Sequence, residues 1–292
     1  MEVVVGATPD PAGDDAVALG AATARTFDLI PVLTHIYPRP YDYPSAGAVD
    51  AEWRAFLQEQ ARDVVDAAAV AMRERGIAEV RTHVHGHRSS GVGLGEVALD
   101  RGAGLLVIGS APGGRLGRLV SGSTADQLFH GSPVPVLMAP HGYAANAPER
   151  LSRVVVAHQL TRESSTAVHE GIRVAREAGI AVHLVSVIAR VNRIAASTVG
   201  RDPEALVVAQ LRERAEATLA LAAASGPAGT TWEVVTGASV EGALAAVGFR
   251  EGDVLVIGSS GAGPLRRVFL GDMSFKLLRA ATVPTMVIPR AE

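Results

Sequence analysis

Apolar residues fall into short runs of four to seven, separated by longer stretches in which they recur every three or four positions. The short runs predict strands near residues 2–7, 29–36, 80–85, 104–109 and 134–139, and again near 153–158, 180–188, 231–236, 253–258 and 284–288. Runs such as GLLVIG (Gly104–Gly109) are apolar on both faces, as in parallel strands covered on both sides. Stretches such as AEWRAFLQEQARDVVDAAAVAMRERG (Ala51–Gly76) have helical periodicity and stop at a glycine. Strands alternating with helices predict a doubly wound α/β sheet, whose ligands sit beyond the carboxyl ends of the strands where strand order reverses.

The pattern also repeats. VVVGAT (Val3–Thr8) recurs as VVVAHQ (Val154–Gln159), LLVIGS (Leu105–Ser110) as VLVIGS (Val254–Ser259), and PVPVLMAP (Pro133–Pro140) as TVPTMVIP (Thr282–Pro289). Three strand-like words keep their order at offsets of 151, 149 and 149 residues. The chain therefore reads as two copies of one unit of about 145 residues. The first copy is assigned to 1–142 and the second to 151–292; residues 143–150, within HGYAANAPER (His141–Arg150), form the linker.

Composition narrows the function classes. The 292 residues are 48% hydrophobic and 20% charged, enough for two full cores. A net charge of -3 argues against a dedicated nucleic-acid binder. With no cysteine there is no disulfide framework and no thiolate chemistry. No run reaches the length of a membrane span, and MEVVVGATPD lacks the basic start of a signal peptide, so a cytoplasmic protein is expected. Aromatics are 4% and Lys276 is the only lysine. With the richness in Ala and Gly, this suggests a high-GC bacterial genome.

The loop after the fourth strand carries the most chemistry. It reads GSAPGGRLGRLVSGSTADQLF (Gly109–Phe129) in the first copy and GSSGAGPLRRVFLGDMSFKLL (Gly258–Leu278) in the second. Each leaves a strand on Gly-Ser, passes a glycine-rich bend with two arginines, and enters a helix at another glycine. Such a bend lets backbone N–H groups approach an anion, and the helix start adds more. Arg115 and Arg118, or Arg266 and Arg267, are candidates to add positive charge.

This pattern resembles the universal stress protein family in its tandem, two-domain form. The resemblance covers nearly the whole chain: strand order, loop position, half length and the Val-Pro-Val entry to the last strand. It implies two similar doubly wound domains with five-stranded parallel sheets, related by a pseudo-two-fold axis and paired inside the chain through their last strands. ATP-binding members carry Gly-x2-Gly-x9-Gly-Ser/Thr in this loop. In the first copy Gly109 and Gly122-Ser123 match, while Pro112 replaces the second glycine and Gly113-Gly114 follow it. In the second, Gly258, Gly261 and Gly271 match, and Asp272 replaces the Ser/Thr. An aspartate there can cap the helix and repel a phosphate. The family's Asp after the first strand is Thr8 in one copy and Gln159 in the other, with Asp10 two residues late.

The resemblance implies ATP or another adenine nucleotide as ligand. Its contacts would come from Ala7, Thr8, Gly109, Ser110, Gly113, Gly114, Gly122, Ser123 and Thr124 in the first half, and from Gln159, Gly258, Ser259, Gly261 and Gly271 in the second. The expected function is a stress-response regulator acting on a protein partner, not an enzyme, with a homodimer left open. The alternative is a scaffold that keeps the fold without the ligand. A nucleotide-hydrolysing enzyme ranks third, since no nucleophile, base or metal cluster is visible in the loops.

Three further motifs receive plainer readings. His83, His85 and His87 in THVHGH share one face of a strand, as metal-binding imidazoles can. The second copy, WEVVTG, has none, so the reading adopted is end-of-strand histidines without a metal. GVGLG (Gly91–Gly95) follows the third strand and reads as a mobile loop, not a dinucleotide fingerprint. YPRPYDYP (Tyr37–Pro44) reads as a stiff loop that covers the ligand pocket or contacts a partner, or equally as an ordinary packed surface loop.

Overall fold

A computed structural model describes residues 1–39, 49–113, 115–159, 162–189, 203–259, 268 and 270–289. In the first half, β1 (Glu2–Gly6), β2 (Ile30–Pro38), β3 (Arg81–His87), β4 (Leu105–Gly109) and β5 (Val136–Ala139) alternate with α1 (Pro11–Phe27), α2 (Val49–Glu74), α3 (Ser90–Asp100) and α4 (Ser123–Phe129). The second half repeats the order: β6 (Arg153–His158), α5 (Arg162–Ala178), β7 (Ala181–Ala189), α6 (Pro203–Ala224), β8 (Thr231–Gly237), α7 (Val240–Leu244), β9 (Asp253–Gly258), α8 (Asp272–Ala280) and β10 (Thr285–Ile288).

All ten strands join one sheet in the order β3-β2-β1-β4-β5-β10-β9-β6-β7-β8. Pairing is parallel within each half. It is antiparallel between β5 and β10, where Thr285 faces Met138, Met286 faces Leu137 and Val287 faces Val136. The palindromic order gives the expected pseudo-two-fold relation, with the last strands at the centre.

Alternation along each strand divides the core in two. Val3, Val5, Leu105 and Val107 face α1, α2, α5 and α6 on one side of the sheet. Val4, Leu106 and Ile108 face α3, α4, α7 and α8 on the other. That two-sided burial is why the strands are apolar throughout.

The segment 141–150 lies along α1. Asp15 of α1 is buried, and its carboxylate accepts from Gly142 N at 2.8 Å and Ala144 N at 2.7 Å. Arg25 donates to the Glu149 carbonyl, Arg150 donates to the Arg25 carbonyl at 2.6 Å, and Leu151 N donates to Thr26 Oγ1 at 2.9 Å. A buried carboxylate between two backbone donors needs no cation beside it.

Candidate functional site

Strand order reverses between β1 and its neighbours β2 and β4, so the carboxyl ends of β1 and β4 stand together at the switch point. Ala7 and Thr8 leave β1 there; Gly109 and Ser110 leave β4. Ala7 is buried, and His35 Nδ1–H donates to its carbonyl at 2.8 Å. Thr8 is exposed and donates to Asp10 Oδ1 at 2.6 Å, and the same oxygen accepts from Gly13 N at 3.1 Å. Asp10 is thus the N-cap of α1. Thr8, Asp10, Gly13, Asp14 and Val17 line a cavity of about 360 Å³, closed opposite by Val64, Ala68 and Ala71 of α2.

Gly109 is required by packing: a Cβ there would lie 1.9 Å from the Ala12 carbonyl oxygen. The first turn of α1 therefore touches the end of β4 at Ala12 and lines the cavity through Pro11 and Gly13. Ser110 is fully buried. Its Oγ accepts from Val120 N at 2.7 Å and reaches the Val120 and Arg118 carbonyls at 3.3 and 3.4 Å. Its hydroxyl is engaged within its own loop. Ala111 N also donates to Val120 O at 2.9 Å, and Gly117 N and Arg118 O pair with His141. Gly113 and Gly117, at φ 89° and 74°, take the left-handed turns this folded-back path needs.

Gly122 precedes α4 with extended backbone and no side-chain cap, leaving the N–H groups of Ser123 and Thr124 at an uncapped helix start. Asp126, in that first turn, accepts from Ser121 Oγ. It is a carboxylate beside the would-be anion site that the motif comparison passed over. Arg118 also differs from expectation. Its Nη1 donates to the Ala280 carbonyl at 2.7 Å and its Nη2 to Glu241 Oε1 at 2.6 Å, both in the second half. Arg115 is exposed. Gly114 lies outside the described residues.

In the second half, Gln159 and Gly258-Ser259 end the neighbouring strands β6 and β9. Ser259 is buried and its N–H donates to Ile288 O at 3.0 Å. Gly261, Arg266 and Arg267 lie outside the described residues. The loop returns with Val268 N donating to Ser132 O at 2.9 Å and Leu270 N to Phe129 O at 3.0 Å, both in the first half. Gly271 precedes α8 without a side-chain cap. Asp272 is the first helical residue, not the cap. It is exposed and pairs with Lys276 Nζ at 2.6 Å. The helix start is shaped instead by buried Ser274, whose hydroxyl donates to Gly258 O at 2.9 Å.

His158 occupies in β6 the place of Ala7, and Ser186 in β7 that of His35. His158 is 3% exposed, its Nδ1 has no hydrogen-bond partner among the described residues, and burial pushes its pKa down, holding it neutral.

The remaining motifs resolve in part. GVGLG is the start of α3, not a mobile loop. A Cβ on Gly91 would come 2.6 Å from Thr124 O, and one on Gly93 2.9 Å from His87 Cβ, so these glycines let α3 pack tightly. Tyr37 lies over Gly86, accepts from Gln58 Nε2 at 2.8 Å, and lines a 370 Å³ cavity with Arg39, Arg54 and His85. Residues 40–44 of that loop lie outside the described residues. No helix among the described residues is long and apolar enough to cross a membrane.

A ten-stranded sheet of two parallel α/β units paired through their last strands, each with a glycine-bearing loop at the switch point, defines a tandem doubly wound α/β protein. The sequence model of the universal stress protein family matches twice, over residues 1–140 and 151–289. Universal stress proteins of Mycobacterium bovis and Mycobacterium tuberculosis are 33% identical over 295 residues, covering 99% of this chain and 100% of theirs. The crystal structure of a universal stress protein from Archaeoglobus fulgidus superposes with a TM-score of 0.63 at 17% identity, covering 100% of this chain and 97% of that one. A putative universal stress protein from Pseudomonas aeruginosa gives 0.59 at 16%, covering 98% and 92%. The chain belongs to the universal stress protein family, as a tandem of two such domains.

Proposed function

We propose that this protein is a cytoplasmic, nucleotide-responsive stress regulator whose first half takes ATP or another adenine nucleotide, and that it is not a catalyst. The reading rests on one juxtaposition at the strand-order reversal. The Thr8 cavity and the loop that ends in the uncapped Gly122-Ser123-Thr124 helix start both adjoin the first turn of α1 or its neighbouring strand end. The base and ribose would enter beside Thr8, Asp10 and Val17, and the phosphates would meet the N–H groups at the start of α4. Ordering of the glycine loop would then alter a surface read by a protein partner.

Calorimetric titration of the full chain with ATP, together with analysis of nucleotide released on denaturation, tests this. Gly122→Val brings a side chain against Ala111, whose Cβ would lie 2.9 Å from even a single added carbon. That variant is expected to weaken ATP binding tenfold or more. A second reading, a scaffold without ligand, draws on Arg118 being engaged by Ala280 and Glu241 and on Asp126 beside the helix start. No bound nucleotide and no heat of binding would favour it.

A further inference from the structure

We propose that the loop between β4 and α4 and the far end of α8 form one linked unit, so that a ligand ordering the first-half loop is felt in the second half through Arg118. That an adenine nucleotide is this ligand rests on the reading above; the linkage itself rests on contacts between the halves. Arg118 leaves its loop and crosses to the second half, where Nη1 donates to the Ala280 carbonyl at 2.7 Å and Nη2 to Glu241 Oε1 at 2.6 Å. Ala280 is the last residue of α8, and the final carbonyls of a helix have no partner within it. A guanidinium there satisfies one of them and suits the negative end of the helix dipole. Glu241 lies in the first turn of α7, so one side chain ties the start of one helix to the end of another.

The order of the loop governs this contact, because the loop holds the backbone of Arg118. Ser110 is fully buried, and its Oγ accepts from Val120 N at 2.7 Å and reaches the Arg118 carbonyl at 3.4 Å. His141 N donates to the same carbonyl at 3.0 Å, and Gly117 N donates to His141 O at 2.8 Å. The Arg118 side chain is only 26% exposed, so it is packed and not a free surface arm. A shift of the loop therefore re-aims the guanidinium and is not absorbed by side-chain rotation.

Return contacts make the linkage two-way. The second-half loop places Leu270 N on Phe129 O at 3.0 Å and Val268 N on Ser132 O at 2.9 Å. Phe129 ends α4, the helix that starts after Gly122. Each half's loop thus grips the end of the helix that follows the other half's loop, across the seam of β5 and β10. Such a linkage is a coupling free energy shared by both ends: what orders one loop changes the other by the same factor. The surface that responds to the first-half loop is the start of α7 and the end of α8, where Glu241 is 63% exposed.

Hydrogen exchange of the full chain, read by mass spectrometry on peptides covering 115–121, 240–244 and 277–281, tests this. Without nucleotide, Ser110→Ala should speed exchange in 115–121 by about tenfold and in 240–244 and 277–281 by about threefold. Arg118→Ala alone should speed exchange in 277–281, and in that background Ser110→Ala should add nothing further there. Gly117→Ala, strained at φ 74°, disturbs the loop in a second way, and circular dichroism separates either effect from loss of the fold. Effects of both loop variants confined to 115–121, or reaching 277–281 equally without Arg118, would overturn the linkage. With ATP added, protection of 115–121 that alters 277–281 only when Arg118 is present is the result expected. Loop protection that stops in the first half would overturn the linkage and leave the nucleotide reading standing. No protection by ATP, with the loop variants still felt in 277–281, would overturn the nucleotide reading and leave the linkage standing.

Discussion

The two halves have the same apolar skeleton and different polar fittings. In the first, the loop after β4 is folded back by its own residues, Ser110 within it and His141 beside it, and then extends Arg118 into the second half. In the second, the corresponding loop returns by pairing its own backbone, at Val268 and Leu270, with the first half. The starts of the paired first and fourth strands differ as well. Glu2 and Gly104 stand where the second half has Arg153 and Asp253, joined in a bidentate ion pair with Nε to Oδ1 at 2.8 Å. Asp15, which holds the linker, corresponds to Thr166, and Ala7 to His158. Duplication preserved what packs the sheet. Divergence is concentrated in groups that need partners, where one exchange removes a contact without disturbing a strand.

The largest test of that asymmetry is Asp253→Ala. Asp253 is 2% exposed, and it also accepts from Arg250 N at 2.7 Å. Removing it takes the ionic partner from the largely buried Arg153 side chain, which keeps the Gly248 carbonyl at 3.0 Å and the field of Glu233, so a loss of about 3 kcal/mol is expected in denaturant unfolding. A loss below about 1 kcal/mol would mean that Arg153 swings to water and that the pair is an accessory. Next in size is Asp15→Ala, which takes the acceptor from two part-buried N–H groups and should cost about 2 kcal/mol. Limited proteolysis within 141–150 should accelerate in that variant; unchanged cleavage would show that the Arg25, Thr26 and Arg150 contacts suffice.

His158 offers a pH-dependent test. Burial depresses its folded pKa, so below about pH 6.5 the unfolded chain takes up a proton that the fold refuses. Stability therefore falls as pH drops from there toward the folded pKa, by up to about 1.4 kcal/mol per unit. His158→Gln should flatten the curve. Part of the slope should remain, because burial, Arg101 and His85 push His83 down too. An unaltered slope would assign the whole effect to the first half. The smallest effect is expected from Asp272→Ser. Its carboxylate is exposed and already paired with Lys276, so nucleotide affinity in the second half should change by less than about threefold. A tenfold gain on calorimetric titration would show that the Asp272 carboxylate repels the phosphate despite its pairing with Lys276.

Much of the fold was legible because apolar periodicity determines it directly. The ten strands fall within a few residues of the expected runs, and the central pairing of β5 with β10 is the one the family resemblance implied. The site was legible only as a set of backbone positions. Gly109 and Gly122 stand where the motif places them, yet the motif cannot say that Gly109 is required by Ala12. Nor can it say that Arg118 turns to the other half, because Glu241 and Ala280 are more than a hundred residues away. GVGLG was misread because its glycines suggested a break, whereas the close approach of α3 to α4 and β3 outweighs their poor helix propensity. Asp126 was missed for a related reason: it gains its meaning from Ser121 and the start of α4, a neighbourhood that only the fold supplies.

The central seam has a consequence for the order in which the chain can mature. β5 is complete once residue 139 is made, but its outer partner is β10, at residues 285–288. For nearly half of translation, the first half carries a fully apolar strand, Val136–Ala139, with one open hydrogen-bonding edge. An open apolar edge pairs readily with any strand at hand, including the same segment of a neighbouring nascent chain. Ribosome spacing, chaperone capture and the yield of soluble protein should thus depend on how quickly β10 arrives, and a fragment ending near residue 142 should self-associate through the edge that β10 normally covers.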